Sequence, residues 1–180
     1  MALGRFLLRV LIGLLFVGHG TQKLFGWFGG GGLDETAGGF ESMKLQPAKP
    51  IAAATGATEA GAGALLALGL ATPFAAASLI AVMLGAIRTV HFRNGVWVTD
   101  GGFEYNAVLI GALALLAEAG PGRASLDAAL GIEKRGAGWG IAALAGGAIA
   151  SGAMLKVARS SSAVDDPAEQ VSAEAPAAAA

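Results

Sequence analysis

Seven side chains stand out in an otherwise apolar sequence as able to do chemistry: His19, Lys23, Glu59, Arg88, His91, Glu104 and Tyr105. The stretch FVGHGTQKLFGWFGGGG, residues 16–32, ends a long greasy run with His19 and Lys23 four residues apart, hence on one helix face. Arg88 and His91 share a face at a spacing of three, and Glu59 falls in a stripe with Thr55 and Gly63. Lysine and arginine hold negative charge, while imidazole and carboxylate exchange protons. A pocket lined by these groups would suit a small anionic or reducible ligand whose reaction moves protons. Two histidines and one or two acids could ligate a metal, but H-x3-K and R-x2-H place no paired ligands on one helix, so no metal site is expected.

Each group also has a structural explanation. Lys23 can snorkel to the membrane interface beside an aromatic belt of Phe25, Trp27 and Phe28, and Arg88 and Arg93 can do the same. His19 can cap backbone carbonyls, and Arg5 and Arg9 read as simple anchors. Glu59 resists such a reading, because a charge in mid-membrane costs roughly 2.5–3.5 kcal/mol on insertion scales and is usually paired or turned to a wet cavity.

The elements that must position these groups are membrane helices. Of 180 residues, 54% are hydrophobic and only 14% charged, with 29 glycines, and mean hydropathy is +0.62. A water-soluble domain of this size could not hide so much apolar surface. The net charge of −1 argues against a nucleic-acid surface. The absence of cysteine excludes disulfides, thiol relays and Cys-ligated metal centres within the chain. Apolar runs place helices at about 6–25, 51–70, 74–92 and 105–118, with a turn at Ala71-Thr72-Pro73 and a stop at Pro121. The first run lacks a small-x-small cleavage site after its apolar core and reads as a retained helix. A fifth run, 136–158, is rich in Ala and Gly and is expected to form an additional transmembrane helix, followed by a disordered acidic Ala/Pro-rich tail at 159–180. No strand alternation is sustained; "NGVWVTDGGFEY" reads as a short ordered loop. The fold class is therefore all-α, an integral membrane antiparallel four-helix bundle (residues 1–135) with a fifth helix added. Gly56, Ala60, Gly61, Gly63, Ala64 and Ala67 make the second helix suited to close approach by a neighbour.

The Arg/Lys bias of residues 5–9 and 123–135 puts the N-terminus in the cytoplasm of a multi-pass protein of the bacterial inner membrane. Up-down parity then carries all seven polar groups to the outer half of the bundle, with Glu59 about 12 Å in from the start of its helix.

The segments "GRFLLRVLIGLLFVGHGTQKLFGWFGGGGLDETAGGFESMKL", "ATEAGAGALLALGLATPFAA", "VHFRNGVWVTDGGFEYN" and "GPGRASLDAAL" resemble the DoxX family of bacterial membrane proteins over residues 4 to 130. The H-G-x-x-K-x-F-G-W-F-G-G element, the acid in helix two, T-V-H with N-G following, and G-G-x-E-Y occur in family order. The resemblance implies a four-helix membrane bundle with a redox-linked role, since relatives include the membrane subunit of a thiosulfate:quinone oxidoreductase. It also implies soluble redox partners, a superoxide dismutase and a thiosulfate sulfurtransferase. It carries over His19, Lys23, Glu59, His91, Glu104 and Tyr105 as site residues. Three functions follow as alternatives: a subunit of a membrane oxidoreductase with quinone as candidate cofactor, using His19, Glu59 and His91 for protons and Lys23, Arg88, Glu104 and Tyr105 for the ligand; a small permease or proton-coupled carrier; or a scaffold that recruits soluble redox enzymes to the bilayer.

Overall fold

The computed structural model describes residues 2–164; Met1 and the last part of the acidic tail, 165–180, lie outside the described residues. The chain is all-helical among these residues. The helices are α1 (Ala2–Phe25), α2 (Gly32–Ser42), α3 (Ala48–Leu68), α4 (Thr72–Ala86), α5 (Glu104–Ala119), α6 (Leu126–Ala129) and α7 (Ala137–Val164). α4 continues through a π-helical turn, Ile87–His91, and a 3-10 turn, Phe92–Asn94. The five long helices alternate in direction. The end of the bundle that holds the start of α1 is called proximal below, and the end that holds its finish is called distal.

Among the described residues four helices are long and apolar enough to cross a bilayer: Leu3–Phe25, Ala48–Leu68, Thr72–Asn94 and Ala137–Arg159. The chain is a multi-pass membrane protein. The fifth hydrophobic run is thus a helix of spanning length, and it continues past 158 to Val164. α5 is shorter, 16 residues, or about 24 Å at 1.5 Å per residue. It nonetheless supplies Leu109, Leu113 and Leu116 to the same core as Ile12, Leu66, Leu79 and Ile80.

The lipid-facing and core-facing sides of α1 are legible in its periodicity. Leu3, Leu7, Leu11 and Leu14 form an exposed stripe, while Ile12 and Phe16 are buried. Lipid tails are as apolar as leucine, so close packing rather than exclusion from water must hold the helices together. The α1–α3 seam does this with small residues. A Cβ on Gly13 would lie 2.6 Å from Ala67 N and Gly63 O, and one on Gly20 would collide with Ala60 N and Gly56 O. The two backbones therefore touch at points seven residues apart on each helix, which is what the small-residue face of α3 foretold.

At the proximal end the loop after α5 folds back on the α3–α4 turn. Gly69 ends α3 in the left-handed conformation, and its carbonyl accepts from Asp127 N at 2.9 Å. The Asp127 carboxylate, buried in α6, accepts from Ala71 N at 2.9 Å, Thr72 N at 3.2 Å and Thr72 Oγ1 at 3.3 Å. It caps the N-terminus of α4 where backbone N–H groups would otherwise be unpaired. Arg9 donates from Nη1 to Leu66 O at 3.1 Å and from Nη2 to Ala124 O at 2.6 Å, and Arg5 donates to Ala119 O at 2.5 Å. The reading of Arg9 as a simple anchor is corrected here, because it is 1% exposed and its guanidinium ties α1 to the end of α3 and to the loop between α5 and α6.

α7 runs alongside α4, from Trp139 on Phe74 to Ser151 and Met154 beside Gly85. Near its start Gly140 lies against Ala114 and Glu118 of α5; in mid-course a Cβ on Gly147 would lie 2.6 Å from Ile80 Cγ2 of α4. Near its end Leu155 and Ala158 pack on Leu45, and Gln46 N donates to Ala158 O at 3.1 Å.

No element is expected from hydropathy at residues 32–42, where α2 lies. It packs through Ala37 on Ala48 and Ala52 of α3, and Lys49 meets Asp34 at 2.6 Å on the surface.

Candidate functional site

α3 and α4 are joined by a tight turn at 69–71 and separate toward the distal end. The gap is a cavity of about 850 Å³. Its wall includes only the distal half of α3, from Pro50 to Glu59, and only the part of α4 from Ser78 onward. α1, the start of α5 and the end of α7 close its sides, and Phe40, Leu45 and the loop at 98–102 reach its distal rim. The proximal floor is the packed core around Phe16, Leu79 and Leu109.

Glu59 is 3% exposed, and its Oε2 lies 2.6 Å from Lys23 Nζ, which is 28% exposed. Both line the cavity. α3 begins at Ala48 rather than Ile51, so Glu59 lies about 16 Å from the helix start, deeper than the sequence reading placed it. The α1–α3 seam explains how the pair forms. Gly20 packs on Ala60, and Lys23 and Glu59 flank that contact, three residues on and one residue back. Lys23 therefore turns inward to a buried carboxylate rather than outward to headgroups. The pair resolves what each charge would otherwise cost at this depth, since a buried ion is tolerated when its partner is in place.

Both histidines also line the cavity. His19 Nδ1 lies 3.1 Å from Gln22 Oε1, and His91 Nδ1 lies 2.7 Å from the Gly101 carbonyl oxygen. Amide oxygens only accept, so each imidazole donates from Nδ1 and keeps Nε2 as the position that can take up a proton. Asn94 Nδ2 donates to the same Gly101 carbonyl at 3.2 Å, which fixes the 92–102 loop over the cavity. Tyr105 is exposed at the rim and lines the cavity.

The remaining two expected groups lie elsewhere. Arg88 points to α7, its Nη1 3.5 Å from Ser151 Oγ. Glu104 accepts from Val98 N at 3.0 Å and serves the loop. Arg88 and His91 part company because the segment between them is π-helical, and its wider turn rotates residues three apart away from a common face. Such turns occur often at functional sites.

Some lining groups were not singled out from sequence. Thr58, Ser78, Thr89 and Ser151 line the wall, the Ser78 and Thr89 hydroxyls donating to Phe74 O and Gly85 O of their own helix, and Asn106 Nδ2 meets Met83 Sδ at 3.4 Å. Thr58 could have been found, standing one residue before Glu59 on the face that runs through Ile51 and Thr55. Ser151 carried no signal, because its helix has no charged neighbour to set a facing side.

The arrangement is a mostly apolar chamber with few polar groups, the usual character of a small-molecule site. It can neutralise negative charge at Lys23 and exchange protons at Glu59, His19 and His91. Among the described residues no group of three or more His, Cys, Asp or Glu could hold a metal ion.

A family model described as DoxX matches residues 4–92, which takes in α1 to the π turn and the Lys23–Glu59 pair. The chain is 32% identical over 131 residues to an uncharacterized membrane protein of Mycobacterium tuberculosis, covering 67% of this chain and 77% of that one. No solved structure matches it.

Proposed function

The chain belongs to the DoxX family of membrane proteins, and from that premise we propose that it is the membrane subunit of a redox system that binds a quinone in the distal cavity. The observation that carries this reading is the buried Lys23–Glu59 pair in the wall of an apolar chamber of about 850 Å³. The volume lies within the roughly 300–1,000 Å³ of small-ligand sites, and apolar walls with a few polar groups fit a substituted ring with two carbonyl oxygens.

A quinone held there by Lys23 and the apolar walls would supply two-electron, two-proton redox chemistry. The chain's own residues do the rest. Lys23 would hold an oxygen of such a ring, sharing its charge between that oxygen and Glu59. Glu59 is then free to carry a proton, and the Nε2 atoms of His19 and His91 relay protons between the chamber and the distal surface. The packed floor keeps water from the proximal side out of the chamber. Electrons would pass from a second bound substrate or from a partner enzyme, and with no cysteine in the chain any sulfur would belong to one of these. The soluble partners implied by the family, a superoxide dismutase and a sulfurtransferase, would dock on the proximal loop at 121–137. The N-terminus and that loop then lie in the cytoplasm.

Analysis of the organic extract of protein purified from its own membranes tests the reading. Near-stoichiometric quinone in the wild type, and less of it in Lys23→Met, is the expected result. Extracts without quinone, together with proton-coupled substrate flux in liposomes, would make the chain a carrier instead.

A further inference from the structure

The core-facing stripe of α5 runs Asn106, Leu109, Leu113 and Leu116, all buried, and only its distal end is polar. An amide in such a stripe is costly unless its polar atoms find partners. Asn106 is 6% exposed, and its side chain makes one hydrogen bond among the described residues, from Nδ2 to Met83 Sδ of α4 at 3.4 Å. Thioether sulfur is a weak acceptor. Oδ1 accepts from no group among the described residues, yet it is not sealed in the core, where the unpartnered side-chain atoms are Nε of Arg5 and Nε of Arg9. Asn106 lines the distal chamber on the same stripe as Leu109 at its floor, so its free oxygen opens on the chamber.

Acceptors therefore prevail around this space. Glu59 and Asn106 Oδ1 accept, and so do the Nε2 atoms of the two histidines when Nδ1 carries the proton. The hydroxyl protons of Ser78 and Thr89 are spent on Phe74 O and Gly85 O. Lys23 Nζ is the charged donor, and it is shared with Glu59. A carbonyl-bearing ring can only accept, whereas its reduced form carries hydroxyls that donate.

We infer that Asn106 determines which redox form the chamber holds: Oδ1 accepts from a ring hydroxyl, so the reduced form binds in preference to the oxidised one. The inference rests on the reading of the chamber as a redox-ligand site and deepens it. Met83 acts as the positioning residue. Turned end for end, the carboxamide would offer Nδ2 to a carbonyl, but Nδ2 would leave Sδ and Oδ1 would face a thioether with no proton to give. By linkage, tighter binding of the reduced form makes the bound ring easier to reduce than the free one.

Anaerobic titration calorimetry of the full chain in nanodiscs, against empty nanodiscs, tests this with dimethyl-para-benzoquinone and its hydroquinone. Wild type should bind the hydroquinone about tenfold more tightly, the worth of one hydrogen bond in an apolar site. Asn106→Leu should weaken the hydroquinone and leave the benzoquinone unchanged, closing the gap. Met83→Leu, a swap of similar volume, frees the amide to turn and should narrow the gap by strengthening the benzoquinone. A wild type without preference overturns the inference, as does a preference that survives Asn106→Leu, which would belong to Glu59. Equal weakening of both probes in Asn106→Leu also overturns it, since a packing role alone would do that; in each of these cases the redox-ligand reading stands. If neither probe binds wild type, both fall. Should Asn106→Leu fail to fold, the wild-type preference and its narrowing in Met83→Leu still decide, and an unchanged gap in Met83→Leu counts against the inference.

Discussion

Breaking the Lys23–Glu59 pair one side at a time should give unequal results, and the inequality follows from burial. Lys23→Met keeps the stem of the side chain but leaves the Glu59 carboxylate, 3% exposed, without its partner at 2.6 Å. Removing one member of a buried pair costs about 3–5 kcal/mol. At roughly 2–4 °C per kcal/mol for a chain of this size, Tm in detergent should fall by about 6–20 °C. Glu59→Gln leaves an amide oxygen that can still accept from Lys23, and Lys23, 28% exposed, has a route toward headgroups. Its cost should be smaller, about 1–3 kcal/mol. Replacing both, as Lys23→Met with Glu59→Leu, removes both charges and should return stability to the wild-type level or above it by ~1–4 kcal/mol. Thermal unfolding of the four proteins, followed by circular dichroism, reads this cycle. A Lys23→Met protein as stable as wild type would mean that Lys23 sits among headgroups and never meets Glu59. A double variant as unstable as the two singles summed would mean that the two residues act independently.

Gly20→Leu forces a side chain into the backbone of Ala60 and should cost about 1–3 kcal/mol or more through overpacking, seen as a lower yield of monodisperse protein and loss of bound quinone. Asp127→Ala removes the acceptor for Ala71 N, Thr72 N and Thr72 Oγ1 and should lower stability by about 1–3 kcal/mol while leaving quinone content unchanged, because the change lies at the opposite end of the bundle. His91→Ala releases the Gly101 carbonyl and should raise amide hydrogen exchange across 95–102 without altering exchange in α1 or α3. The chain has no cysteine, so Gly29→Cys and Arg135→Cys give clean single labels; an impermeant maleimide applied to intact cells should mark the first and spare the second.

Much of this molecule is written in hydropathy. The long apolar runs mark the helices because lipid leaves a spanning backbone no other way to pair its polar groups, and even the weak Ala/Gly run after 136 obeys that rule. Burial of Glu59 was also legible, since one carboxylate in an apolar helix needs a partner, but its partner was not. Lys23 is 36 residues away and reaches Glu59 only because Gly20 and Ala60 let the helices touch. α2 escaped notice because GLDETAGGFES is short and too polar for the hydropathy signal that reveals a spanning helix. The burial of Arg9 was hidden for the opposite reason: an arginine near a membrane helix start looks like an anchor unless the carbonyls of Leu66 and Ala124 are seen to converge on it. Equal α-helical spacing suggested that Arg88 and His91 would point together, and a five-residue π turn, which carries no clear sequence mark, separates them.

The measurement that bears most directly on the central claim is a structure of the protein purified with its native lipids and resolved well enough to show a bound ring. The account predicts ring density inside the distal chamber, with one oxygen within hydrogen-bonding distance of Lys23 Nζ and the plane of the ring between α1 and the distal half of α4. Ring density confined to the lipid-facing surface, or a chamber closed by side chains in protein that still supports quinone reduction, would contradict it.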